Sequence, residues 1–298
     1  MKQFADLMVL IFVVSSVLGV GLSLTVSQIL APLRQARLVV LSLIVNFVVV
    51  PVLAVAMTKM LSISEPAKIG LLLLGSAAGA PFLPKIIELV KGDIAFAVAL
   101  MVLLMVASLA YMPLVLPLLL PGVSVNSMGI AQSLLVTMIL PLSIGLCIKA
   151  RRESLAVRLR PMMNRLSNVS ILIALVLIPA MNSRNLLGFM SVQIFAASTL
   201  FVGLSFAAAC LLGGPGAEAR RVLGFGTAAR NIPAALLVAR QNFDDPQVMI
   251  MVIVVGLLSL IVLAPLAVVF VRRNRLQGQP GGFAVASKFN LCLPSAWF

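Results

Sequence analysis

Residues 224–243 read GFGTAARNIPAALLVARQNF, a run long enough to cross a bilayer that nevertheless holds Arg230, Asn231 and Pro233 near its middle. A hydrocarbon core of about 30 Å takes roughly 20 apolar residues in helical form. Arg221 and Arg240 flank Arg230 at similar distances along the chain, which at ~1.5 Å per residue leaves Arg230 about half the hydrocarbon thickness from either end. Placing a guanidinium there costs about 2.5–3.5 kcal/mol on insertion scales, so Arg230 is expected to face the protein interior with a partner or an anionic ligand. Proline breaks a helix interior but is tolerated in a first turn, so Pro233 marks the start of a second half-helix. The positive end of that half-helix and its free N–H groups add to the same spot.

An earlier stretch repeats the pattern. Residues 67–92, AKIGLLLLGSAAGAPFLPKIIELVKG, run apolar, then through small residues, then Pro84 and Lys85, then apolar again. Gly79, Pro81 and Pro84 are the expected helix breakers here, as Gly226 and Pro233 are in the later run. Unwound backbone is tolerated at membrane depth only where it lines a cavity or packs on protein, so paired breaks point to a transport site near the midplane. Arg230, Asn231 and Thr227 from one break, Lys85 and Ser76 from the other, and Asn46 are the candidate substrate-binding residues. Glu88, three residues after Lys85 on the same helix face, is a candidate proton carrier.

The rest of the chain fits this picture. Of 298 residues 62% are hydrophobic and 10% charged, and the mean hydropathy is +1.18, the composition of a polytopic membrane protein. Nine helices are expected, near 5–24, 38–58, 67–91, 94–120, 128–148, 167–183, 188–212, 221–241 and 246–271. Residues 1–148 form helices 1–5, 149–166 a basic linker, 167–271 helices 6–9, and 272–298 a tail. The first run lacks a small-residue cleavage site and reads as a retained helix rather than a signal peptide.

The net charge of +14 reflects Lys and Arg gathered in alternate loops, which excludes a nucleic-acid reading. Placing the N-terminus outside and the C-terminus in the cytoplasm puts Arg34, Arg37, Lys91, Lys149, Arg151, Arg152, Arg158, Arg160, Arg165, Arg220, Arg221, Arg272, Arg273, Arg275 and Lys288 inside, and leaves Lys2, Lys59, Lys68, Arg184 and Arg240 outside. With that topology the two broken segments run in opposite directions, the sign of an inverted repeat. Cys147, Cys210 and Cys292 have no metal-ligand spacing and imply no disulfide framework. Histidine is absent, which removes the commonest general base, and Glu88 is the sole deep carboxylate candidate, so no constellation of a membrane enzyme is present. No cofactor and no metal site are expected.

The segments VLGVGLSLTVSQI, VNFVVVPVLA, GSAAGAPFLPKIIELVKGDIAFAVAL and GFGTAARNIPAALLVARQNF, in this order and spacing, resemble the bile acid:sodium symporter superfamily over residues 10–271. The resemblance implies an all-α integral membrane fold, an inverted repeat with two broken crossing helices, a core and a panel domain, and alternating access. The first of the family's ten helices has no counterpart here, as in nine-helix members. The implied substrates are small organic anions moved with sodium. At the positions where sodium-binding members carry polar side chains, this chain has Leu83, Pro84, Ala97, Met101, Gly226 and Arg230, and only Asn46 keeps the expected type. Both sodium sites look dismantled, so sodium coupling is doubtful. Arg230, helped by Lys85, is expected to supply fixed charge where relatives place sodium, giving a uniporter, an exchanger or a proton-coupled carrier. An export permease of the auxin-efflux type, a conventional sodium symporter and a transport-dead sensor are the alternatives.

Overall fold

The computed structural model describes residues 2–30, 35–120, 126–181, 191–214 and 216–277. Arg34, Arg184, Lys288, Cys292 and the tail after residue 277 lie outside the described residues, as do the expected ends of helices 6 and 7 at 182–190.

Among the described residues every regular element is helical. In chain order these are α1 (Lys2–Gly21), α2 (Val26–Leu30), α3 (Ala36–Met60), α4 (Glu65–Ser76), α5 (Leu83–Leu89), α6 (Ile94–Leu119), α7 (Ser127–Arg151), α8 (Glu153–Met181), α9 (Val192–Leu212), α10 (Ala217–Ala228), α11 (Ile232–Asn242) and α12 (Pro246–Gln277). Among the described residues seven stretches are long and apolar enough to cross a membrane: α1, α3, α6, α7, α9, α10 joined with α11, and α12. The chain is a multi-pass membrane protein. The α4–α5 pair is cut into two short pieces.

Residues 149–166, expected as a linker, are helical except at Arg152. The segment from Glu153 onward has no glycine, and Ala156, Ser167, Ser170 and Ala174 form a buried stripe along it at helical spacing. Opposite the stripe stand Arg158, Arg165 and Met162, all exposed. The sequence concealed this helix because its charge density mimics a loop. Lys149 pairs with Glu153 across the bend at 2.5 Å, and that hydrogen bond holds the Glu153 carboxyl below the usual carboxylate range. The expected tail likewise begins as helix, since α12 continues to Gln277.

The helices sort into two groups. α1, α7 and α8 pack on one another, and α3, α4, α5, α6, α9, α10, α11 and α12 form the larger body. Within α1 and α7, Gly21 and Gly145 let the backbones touch: a Cβ on Gly145 would lie 2.8 Å from the Gly21 Cα. In the larger body, α4 and α11 are the most enclosed elements, with residues 70–80 and 233–239 all buried. Burial on every side explains why these two segments carry small and aliphatic residues all round rather than on one stripe.

Two turns of π-helix, Val45–Val49 and Leu135–Ile139, interrupt α3 and α7. Each ends two residues before a proline, Pro51 and Pro141, which has no N–H to continue the α-helical ladder. The Val50 N–H instead reaches back to the Val45 carbonyl. This widened turn holds Asn46, fully buried in the larger body.

Candidate functional site

The two breaks meet. α4 ends at Ser76, and the chain then runs extended through Ala77 (φ −95°, ψ 93°) to Gly79 at φ +85°. Only glycine suits that conformation cheaply, and a Cβ there would also sit 2.3 Å from the Met105 backbone nitrogen of α6. Pro81 lies in the turn that follows, and Pro84 occupies the first turn of α5. In the second break α10 stops at Ala228, Ala229 is extended, and Asn231 caps α11 by accepting from the Ala234 N–H at 3.1 Å. Pro233 lies in the first turn of α11. The Asn231 N–H donates to the Ala77 carbonyl at 3.0 Å, joining one break to the other.

Gly226 was expected as a breaker but lies inside α10. A Cβ there would meet Leu83 Cδ2 at 2.9 Å and Leu100 Cδ2 at 3.1 Å. Its smallness lets α10 lie close on α5 and α6 rather than unwinding the chain.

Arg230 occupies the crossing and is 2% exposed. Its Nε donates to the Leu74 carbonyl at 2.8 Å and its Nη2 to the Gly75 carbonyl at 2.6 Å, both in the last turn of α4. Nη1 donates to Asn46 Oδ1 at 2.9 Å and to the Thr227 carbonyl at 3.2 Å, near the end of α10. The guanidinium thus sits at two helix C-termini, where unpaired carbonyls and the negative dipole ends favour a cation. None of the ion pairs among the described residues includes it. Its charge is held by neutral oxygen atoms.

Asn46 completes this arrangement. While its Oδ1 accepts from Arg230, its Nδ2 donates to Thr227 Oγ1 and to the Ser42 carbonyl, both at 3.0 Å. Ser76 is buried beside the Gly75 carbonyl, with its hydroxyl returned to the Leu72 carbonyl at 2.9 Å. Ser108 of α6, which the sequence did not single out, binds the first break from the other side. Its hydroxyl accepts from the Ala78 N–H at 2.9 Å and faces the Ala78 carbonyl at 3.1 Å. The available signal was a lone serine in the middle of an apolar 26-residue helix.

One donor stays open. Asn231 Nδ2 is buried and has no hydrogen-bond partner among the described residues. It stands at the N-terminus of α11, where free N–H groups and the positive dipole end favour an anion. The crossing therefore puts a cation at helix C-termini and an unused donor at a helix N-terminus within one residue of each other.

Lys85 and Glu88 do not join this cluster. Leu83 and Ile87 form the buried face of α5, which turns Lys85 and Glu88 to its exposed face. Of the residues singled out in the sequence, Arg230, Asn46 and Thr227 share one hydrogen-bonded network, with Asn231 next in chain and Ser76 beside the carbonyls that network uses.

No curated protein matches the chain. A family model described as "Sodium Bile acid symporter family" matches residues 8–189, which include α4 and α5 and stop before α10 and α11. The match extends over more than half of the chain, and the crossed pair of broken helices in an all-helical membrane fold agrees with it: the chain belongs to the sodium bile acid symporter family.

Proposed function

We propose that the protein carries a small organic anion across the membrane by alternating access and that it does so without the two sodium ions of a conventional symporter. The observation that carries this reading is the Arg230 guanidinium, hydrogen-bonded to three carbonyl oxygens at the ends of α4 and α10 and to Asn46 Oδ1 of α3, and paired with no carboxylate among the described residues. Half-helix C-termini and unwound carbonyls are where a carrier of this type holds a small cation, and here a tethered cation already fills that position. A sodium ion would have to displace it. The residues present therefore do not fit sodium at this place.

With the guanidinium engaged by protein oxygens, its part is electrostatic and positional. It fixes the Leu74, Gly75 and Thr227 carbonyls, and it leaves a net positive charge in a medium of low dielectric, where an anion is drawn to it strongly. The anion's contact falls to Asn231 Nδ2 and the first N–H groups of α11. Lys85, exposed on α5, is a guide for anions rather than a ligand at the crossing, and Glu88 beside it is the carboxylate open to a proton-coupled variant of the mechanism. In the topology drawn from the loop charges, the N-terminus is outside and the basic end faces the cytoplasm.

The test is counterflow of a panel of labelled small organic anions in proteoliposomes, with sodium present or replaced by choline. Uptake that ignores the replacement supports the reading. Uptake that requires sodium overturns the coupling and returns the protein to conventional symport.

A further inference from the structure

The two helix groups meet along a seam, with α6 on α7 and α8 on α12 among the elements that face each other across it. Of the four half-helices, α11 packs substantially against the smaller group, on α1 and α7, whereas α5 and α10 pack on α6, α9, α12 and each other. One end of the seam is where α1 begins and α11 finishes. Two contacts cross the seam there. Arg240, in the last turn of α11, places Nε 3.3 Å from Asp6 Oδ1 in the second turn of α1. Asn242 Oδ1, at the end of α11, accepts from the Asn126 backbone N–H at the start of α7 at 3.2 Å. A second bond, from Asn242 Nδ2 to the Val238 carbonyl at 3.1 Å, aims that amide.

We propose that Asp6–Arg240 and Asn126–Asn242 form a latch that holds this end of the seam shut and must release for the seam to open there. The proposal rests on the reading of the protein as an alternating-access carrier. Three features point to it. The other ion pairs among the described residues link neighbours three or four positions apart, so Asp6–Arg240 is the one that ties distant elements. The α11 surface before the latch is Ala-Ala-Leu-Leu-Val-Ala, which holds no polar side chain and slides without breaking a hydrogen bond. Finally, the Arg230 network binds α3, α4 and α10, all in the larger group, so opening the seam leaves the crossing intact. Partly exposed polar contacts are weak one by one, which suits a closure that releases thermally in each cycle.

The experiment measures distance without any substrate. Spin labels at Gln3 and Gln241, both exposed and on opposite sides of the seam, are placed in reconstituted protein whose three cysteines are replaced by serine. Wild type should give mainly one short separation. Asp6→Asn combined with Asn242→Ala should raise the longer-distance population about tenfold, from the loss of two weak contacts. The exchanged pair Asp6→Arg with Arg240→Asp should restore the short separation, which a merely misfolded seam would not. Distributions identical in wild type and the double variant, or unmoved by Arg240→Asp alone, overturn the latch. Because no anion is involved, shifted distances without measurable flux would contradict transport and leave the latch standing.

Discussion

At the residue scale everything turns on what Arg230 touches. Truncating it leaves the Gly75 carbonyl of α4, the Thr227 carbonyl of α10 and Asn46 Oδ1 without their donor in a buried setting, and the Leu74 carbonyl with the Ala77 N–H alone, a loss on the order of 3–5 kcal/mol for a fully buried charged network. Arg230→Met is accordingly expected to lower the melting temperature in detergent by several degrees or more, and Asn46→Leu by less, since it removes one neutral acceptor of a charged donor, a bond worth about 1.5–3 kcal/mol. A melting curve unchanged in Arg230→Met would show that the network contributes nothing. Asn231→Asp separates cap from ligand: the carboxylate still accepts the Ala234 N–H but replaces the free amide donor with an acceptor. Anion flux should fall at least about tenfold, equivalent to ~1.4 kcal/mol, with the protein still folded. Flux equal to wild type would remove Asn231 from the site. The sequence showed that a cation lay deep in the bilayer, because depth follows from counting residues. It did not show that backbone carbonyls of another helix would hold it, because carbonyls carry no sequence signature.

Among elements, the broken helices were legible and their exceptions are instructive. Gly79 and Gly226 look alike in the sequence, yet one has φ +85° against the backbone of α6 and the other is an ordinary helical residue facing leucine side chains. Gly79→Ala meets backbone at 2.3 Å in addition to a left-handed strain of about 1–2 kcal/mol, so it should abolish the monodisperse peak in size exclusion. Gly226→Ala meets only the ends of Leu83 and Leu100, which can turn aside, and should fold with a lowered melting temperature. Equal behaviour of the two variants would contradict the distinction. The π-turn that holds Asn46 was not legible, since a proline in an apolar run signals a break of the ladder without saying how the preceding turn adjusts. The first half of α8 was hidden for a different reason. Its stripe of Ala156, Ser167, Ser170 and Ala174 is made of small residues, which hydropathy weighs far less than the arginines between them.

For the whole molecule the claim is that a side chain stands where a symporter of this family would seat sodium, so the folded state has no place for the ion at the crossing. An ion that binds the native state stabilises it by about 2.7 kcal/mol at a hundred times its dissociation constant, which appears as a rise of several degrees in melting temperature. The most direct measurement is therefore the melting temperature of the purified protein in sodium chloride against choline chloride at equal ionic strength, for wild type and Arg230→Ala. The expected result is a wild-type curve indifferent to sodium and a variant, less stable overall, that regains part of the loss when sodium enters the vacated oxygen cluster. A wild-type protein stabilised by several degrees in sodium would contradict the claim and place a working ion site elsewhere in the fold.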